Sequence, residues 1–123
     1  MKRLRVLIAD DHPLFAESLM SILSADDRFE VIGCASNGEE AVELAASLAP
    51  DVILMDLEMP VMDGLEATRR INERAGARVL LLTGSDSSAV VAHARTAGAS
   101  DYLRKDMDSS DLMARVLAAG LQI

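Results

Sequence analysis

Aromatic residues are almost missing from this chain, with one Tyr, two Phe and no Trp among 123 residues. Half of the residues are hydrophobic, so a core is within reach, but it has to be aliphatic. The one cysteine, Cys34, cannot form an internal disulfide, which fits a reducing compartment. Near a strand end it reads as a small hydrophobe rather than a reactive thiol. Cations are outnumbered: 12 Lys and Arg face 20 Asp and Glu, for a net charge of -8. That argues against this chain gripping a nucleic-acid backbone by itself, because phosphate contacts need clustered Lys and Arg. There is no run of about 18 apolar residues to span a membrane. The start, Met1-Lys2-Arg3-Leu4-Arg5, is basic and then apolar, as a signal peptide begins. Asp10 and Asp11 break the apolar run too early for an h-region. The expected location is the cytoplasm. No repeat, low-complexity tract or linker divides residues 1–123, and their number suits one domain.

What is present is organised around Val52-Ile53-Leu54-Met55-Asp56, four apolar residues ending in a carboxylate. A continuous apolar run between turn signals predicts a strand buried on both faces, as in a parallel sheet. Similar short runs predict strands over Leu4 to Ala9, Phe29 to Ala35, Val79 to Leu82 and Tyr102 to Arg104, with Gly33 a candidate irregularity. Between them the apolar spacing turns helical. Pro13 suits a first helical turn. Phe15, Leu19, Ile22 and Leu23 share one face. Asn37 reads as an N-cap before Ala41, Leu44, Ala45 and Leu48, with Pro50 as the stop. Leu65 to Arg74 is a third helix, closed by Gly76. Ser87 to Ala97 is a fourth, ended by Gly98 and anchored only by Val90 and Val91, so the weakest packing is expected there. Asp108, Ser109 or Ser110 caps a last helix with Leu112, Val116 and Ala119 on one face. Five strands alternating with five helices predict an α/β fold, a doubly wound parallel sheet with right-handed crossovers.

In such a sheet ligands bind outside the carboxyl ends of the strands. Four of the five strands end there in polar residues: Asp10 and Asp11, Asp56, Thr83, and Lys105. Three carboxylates side by side repel, and a proton or a cation has to intervene. A hard divalent ion such as Mg²⁺ fits that donor set. Lys105 adds a point charge for a carboxylate or a phosphate oxygen, and Thr83 a hydroxyl. These are conditions for phosphoryl transfer, in which a carboxylate can itself be the nucleophile.

With these residues in place, the chain resembles a response-regulator receiver domain. The resemblance rests on Asp10-Asp11, on Asp56-Leu57-Glu58-Met59-Pro60-Val61-Met62-Asp63-Gly64, on Thr83, and on Tyr102 three residues before Lys105. It covers essentially the whole chain. The opening Ala9-Asp10-Asp11-His12-Pro13-Leu14-Phe15 is most similar to the NarL/FixJ (LuxR-type) branch. The resemblance implies a flavodoxin-like (βα)5 fold with strand order 2-1-3-4-5. It implies that Asp56 is the phosphoacceptor. Asp11, Asp56 and the Glu58 backbone carbonyl would bind Mg²⁺ or Mn²⁺, with Asp10 acting directly or through water. Thr83 and Lys105 would hold phosphoryl oxygens, and Tyr102 would be the switch aromatic. The implied partners are a sensor histidine kinase as donor, a second copy in a phosphorylation-dependent homodimer, and DNA only through a helix-turn-helix output domain that follows the receiver in this branch. The association surface would be the fourth helix, fifth strand and fifth helix, with the first and fifth helices as an alternative dimer face. Catalysis would extend only to the domain's own phosphoryl transfer and dephosphorylation.

Two positions depart from the family's pattern. Gly84 follows Thr83 where Ala is usual, which loosens the loop. Asp106 follows Lys105 where many receivers have a cis proline; without Pro a cis bond costs about 3 kcal/mol, so a trans bond is expected. Taken singly, the site residues have plain readings. Asp10 and Asp11 could cap a helix, Asp56 could cap the next element, and Lys105 could be a surface lysine. Half-buried packing suits Tyr102 as well as a switch does. A lone His12 is more often exposed than a metal ligand. The Glu58 side chain could face solvent or tune water access. Other functions fit less well. Haloacid-dehalogenase-like phosphatases place a second Asp two residues after the nucleophile, and Glu58 stands there. Gly33 and Gly38 have P-loop spacing, but residue 39 is Glu rather than Lys, and aromatics to stack a flavin are lacking. A receiver-like scaffold that never takes phosphate would not need the intact acidic pocket.

Overall fold

The computed structural model describes residues 3–74, 76–84 and 88–121, and for 88–91 the backbone alone. Five strands alternate with five helices: β1 (Leu4–Ala9), α1 (Pro13–Ser24), β2 (Phe29–Ala35), α2 (Gly38–Leu48), β3 (Val52–Asp56), α3 (Gly64–Arg74), β4 (Arg78–Thr83), α4 (Ser88–Ala97), β5 (Asp101–Arg104) and α5 (Ser109–Gly120). The strands form one parallel sheet in the order β2-β1-β3-β4-β5. The expected fold class and order hold. β4 and β5 are slightly longer than the apolar runs alone indicate, because Arg78, Thr83 and Asp101 also pair. Ser87 lies outside the described residues, as do the Val90 and Val91 side chains, so the packing expected of them does too.

Two aliphatic cores lie on opposite faces of the sheet. Side chains alternate across a strand, so Val6, Ile8, Val52, Leu54, Leu80, Leu82 and Leu103 point one way. There they meet Ala16, Leu19 and Leu23 of α1, and Leu112, Val116 and Ala119 of α5. Leu7, Ala9, Ile53, Met55, Val79 and Leu81 point the other way, against Ala41 and Ala45 of α2, Ala67 and Ile71 of α3, and Ala94 of α4. All five β3 residues are buried, as a central parallel strand requires. Small helix residues let α2, α3 and α4 sit close to the sheet, which is how a core with so few aromatics is filled. Among the described residues no helix is long and apolar enough to cross a membrane.

Local chemistry sets the helix ends. Asn37 Oδ1 accepts from the Glu40 N–H at 2.8 Å, Asp63 Oδ1 from the Glu66 N–H at 2.9 Å, and an Asp108 carboxylate oxygen from the Ser110 N–H at 3.3 Å. α2 ends at Ala49 in a left-handed conformation (φ 49°) just before Pro50. Gly33 lies at the register shift between β1 and β2: Val6 pairs Val31 and Leu7 pairs Gly33, leaving Ile32 over. Gly98, with φ 94°, carries the chain from α4 toward β5. Cys34 on β2 is exposed rather than packed as a small hydrophobe. Partial burial and the Asp10 and Glu40 charges push its thiol up, which disfavours the thiolate.

Candidate functional site

The register brings the polar strand ends together. Ala9 pairs Met55, so Asp10 emerges beside Asp56. Asp56 pairs Leu82 and Thr83 pairs Arg104, so Thr83 and Lys105 emerge next along the same edge. The Lys105 N–H donates to the Thr83 carbonyl at 2.8 Å, and the Leu57 N–H to the Leu82 carbonyl at 2.9 Å, which holds the loop bases level. By strand alternation Asp10, Asp56 and Lys105 share the parity of the α1/α5 face, whereas Thr83 and Tyr102 have the parity of the α4 face.

The side chains converge accordingly. Lys105 Nζ lies 3.0 Å from Asp10 Oδ2 and 3.3 Å from Asp56 Oδ1. The Asp10 side chain is fully buried and that of Asp56 is 4% exposed. The Lys105 ammonium also lies over the Phe15 ring, 4.7 Å from its centroid. His12 Nδ1 is 3.0 Å from Asp10 Oδ1, 3.3 Å from Asp11 Oδ1 and 3.5 Å from Asp56 Oδ2. Buried oxygens of Asp11 and Asp56 (Oδ1 and Oδ2) have no hydrogen-bond partner among the described residues, and Asp10 Oδ2 has only the Lys105 ion pair there. Neither acidic residue caps α1: His12 holds the N-cap position, and its N–H donates to Asp10 Oδ1 at 2.8 Å. Nor does Asp56 cap α3, since Asp63 does.

Electrostatics follow from this crowding. Burial, together with the Asp10 charge, pushes the Asp56 carboxyl up to about 6, against the pull of Lys105 and the Glu58 N–H. The hydrogen bond to Asp10 raises the His12 imidazole, helped by the Asp10 and Asp11 charges and opposed by Lys105.

The cluster opens into a cleft of about 710 Å³ lined by His12, Pro13, Leu14, Phe15, Asp56, Leu57, Glu58, Thr83, Gly84 and Lys105. Its mouth carries Leu14, 81% exposed, and the exposed Glu58. The structure thus brings together Asp10, Asp11, Asp56, Thr83 and Lys105, with Glu58 at the rim. Tyr102 is half-buried on β5 and does not line the cleft. The Lys105–Asp106 bond is trans, as expected.

Sequence reasoning passed over two participants. His12 is indeed largely exposed, yet its inner nitrogen faces three carboxylates. Its place directly after the acidic pair was the available signal. Phe15 was read as one of several core-facing residues, and nothing in its helical spacing distinguished the ring under Lys105.

The chain is 42% identical over 121 residues to the transcriptional regulatory protein DegU of Brevibacillus brevis, covering 96% of this chain and 51% of that protein. It is 40% identical over 109 residues to the nitrate/nitrite response regulator protein NarL of Escherichia coli (strain K12), covering 88% and 50%. It superposes on the signal receiver domain of NarL from Mycobacterium tuberculosis with a TM-score of 0.95 and 36% identity, covering 98% of each chain. The chain therefore spans about half the length of the curated relatives it matches. These relatives are of the NarL/FixJ kind. The family model for the response regulator receiver domain matches residues 6–117, and the chain belongs to that family.

Proposed function

We propose that Asp56 accepts a phosphoryl group from the phosphohistidine of a sensor kinase, and that this changes the domain's association surface. The observation that carries this reading is the setting of Asp56. It is a buried carboxylate with an oxygen lacking a hydrogen-bond partner among the described residues, at the floor of a cleft, beside one ammonium and two further carboxylates. In the step, an Asp56 oxygen attacks phosphorus, the phosphorus–nitrogen bond breaks, and the imidazole leaves with the bonding pair. Lys105, 3.3 Å from Asp56, is placed to meet the charge of the incoming oxygens, and the Thr83 hydroxyl to donate to one of them.

The donor set fits a hard divalent cation, because three carboxylates are crowded together with one ammonium and, among the described residues, buried oxygens of Asp11 and Asp56 have no hydrogen-bond partner. Asp10, Asp11, Asp56 and the Glu58 backbone carbonyl would hold Mg²⁺ or Mn²⁺. Such an ion supplies neutralisation of the carboxylates and of the phosphoryl oxygens.

A dianion at Asp56 recruits Lys105 from β5 and Thr83 from β4. Thr83 and Tyr102 have the parity of the α4 face, which supports a switch through α4, β5 and α5, with Tyr102 repacking as Thr83 moves. A face of α1 and α5 is the second candidate for a phosphorylation-dependent dimer. The half-length match to DegU and NarL supports a DNA-binding output domain in the whole protein, and hence a cytoplasmic regulator of transcription. Residues 1–123 would act as the receiver, with no catalysis beyond their own phosphoryl transfer and dephosphorylation.

The test is intact mass spectrometry after incubation with acetyl phosphate, with and without Mg²⁺, beside Asp56→Asn. The reading expects one phosphoryl adduct that is stable in acid and labile in base, needs Mg²⁺ and is absent from the variant. No adduct on folded, Mg²⁺-bound protein would overturn it in favour of a scaffold.

A further inference from the structure

His12 is the member of the cluster that is not a carboxylate, and its position is built in. The residue precedes Pro13, which confines it to extended backbone, and its φ of -94° and ψ of 103° comply. Its N–H is tied to Asp10 Oδ1 at 2.8 Å. Its ring nitrogen Nδ1 then stands 3.0, 3.3 and 3.5 Å from oxygens of Asp10, Asp11 and Asp56. One donor atom from each of the four residues falls within a 4.8 Å span. Neighbouring donors around a six-coordinate first-row ion with bonds of about 2.1 Å are separated by about 3.0 Å, so these spacings are those of adjacent coordination positions. Two of these oxygens, Asp11 Oδ1 and Asp56 Oδ2, are buried and have no hydrogen-bond partner among the described residues.

We propose that His12 Nδ1 is a fourth side-chain donor to the acidic pocket, and that it biases the pocket toward nitrogen-accepting ions of the Co²⁺, Ni²⁺ and Zn²⁺ class relative to Mg²⁺. This rests on the reading of Asp10, Asp11 and Asp56 as a cation site. Mg²⁺ takes oxygen donors and gains little from an imidazole, whereas the later first-row ions gain most from one. Without an ion Nδ1 donates to Asp10 Oδ1 at 3.0 Å, so an ion bound there displaces that proton, while the 64% exposed ring leaves Nε2 its own proton toward solvent. Lys105 Nζ, 3.3 Å from Nδ1, is repelled by an ion at that point. The Phe15 ring, 4.7 Å from Nζ, already offers it a second attraction.

The experiment is isothermal titration of the chain with MgCl₂ and, separately, CoCl₂, for wild type, His12→Asn, His93→Asn and Asp11→Asn. Proton spectra of the Co²⁺-loaded proteins accompany it. The proposal expects His12→Asn to weaken Co²⁺ by roughly tenfold or more while Mg²⁺ moves by less than about threefold. It expects paramagnetically shifted imidazole resonances in wild type and His93→Asn, and none in His12→Asn. Asn can still serve at the N-cap position, and an unchanged thermal midpoint confirms the fold. Equal weakening of both ions, unchanged Co²⁺ affinity, or shifted imidazole signals surviving in His12→Asn would overturn the role of His12 alone. Mg²⁺ and Co²⁺ affinities both untouched by Asp11→Asn would overturn the cation-site reading beneath it.

Discussion

The Lys105 ammonium lies 3.3 Å from Asp56 Oδ1, and only 3.0 Å from Asp10 Oδ2. One cation is shared by two buried anions, so neither is fully compensated. Burial, and after it the Asp10 charge, therefore outweighs the lysine and holds the Asp56 carboxyl up at about 6. Between the ordinary carboxylate value of 3.8 and about 6, the folded protein binds a proton that the unfolded chain has released. Stability in the presence of EDTA therefore falls as pH rises through that window. Asp56→Asn removes the strained charge, and it should be the more stable protein at about pH 8 by on the order of 2 kcal/mol, with the gap closing toward about pH 4. The raised His12 adds a loss of the same sign at higher pH, common to both proteins and so cancelling in the comparison. Urea unfolding at the two pH values checks this; a gap independent of pH would contradict it.

Asn72 on α3 ties down the end of α4. Its Nδ2 donates to the Ala97 carbonyl at 3.1 Å and the Gly98 carbonyl at 2.7 Å. A Cβ at Gly98 would lie 1.6 Å from that nitrogen, on a backbone with φ of 94°. Gly98→Ala should cost about 2–4 kcal/mol, and Asn72→Ala about 1 kcal/mol. In the double variant the clash is gone, so the two losses should fall short of their sum by about 1 kcal/mol. Strict additivity in chemical unfolding would show that the asparagine and the glycine do not share this space.

Val61 carries backbone strain in the loop that leaves Asp56. Its φ is 69°, the Met62 N–H donates to the Pro60 carbonyl at 2.7 Å across it, and its side chain is largely exposed. A β-branched residue pays for that conformation without packing in return. Val61→Gly should stabilise the protein by about 1 kcal/mol after allowing for the greater freedom of glycine when unfolded. A lower thermal midpoint for Val61→Gly would show instead that the side chain packs.

Gly64 is required by the site itself. A Cβ there would stand 2.2 Å from the Asp56 carbonyl oxygen, and the Gly64 N–H donates to the Leu57 carbonyl at 2.9 Å. Gly64→Ala must displace backbone directly beside the Asp56 carboxylate. Phosphorylation by acetyl phosphate should slow by roughly ten- to a hundredfold, because small misplacements of a reacting group are costly. Gly76→Ala, where nothing lies within 4 Å of the added carbon, should leave the rate unchanged. Equal rates in the two variants would remove Gly64 from the argument.

Much of this was legible in one dimension. β1, β2 and β3 have the predicted bounds; for β3 this follows because a strand buried on both faces reads as a near-continuous apolar run, whereas β2 is a half-buried edge strand that includes Glu30. The cap at Asn37 could be named, and Asp108 stood among three candidates, because a capping side chain bonds backbone only two or three residues away. Alternation of strands and helices carried the parallel topology, and parallel topology carried Asp10, Asp11, Asp56, Thr83 and Lys105 to one edge. Tertiary structure alone decided how those groups share their charges. Lys105 bridges Asp10 and Asp56, His12 turns one nitrogen into the acidic cluster while its ring stays exposed, and Phe15 lies under the ammonium. Tyr102 stays off the cleft because it pairs Leu81, two residues back along the sheet from Thr83. These facts depend on distances between residues up to 95 positions apart, set by the register of neighbouring strands and the height of α1 above the sheet. Local sequence records the preferences of each segment, and it holds no term for the separation of two charges brought together only when the sheet closes.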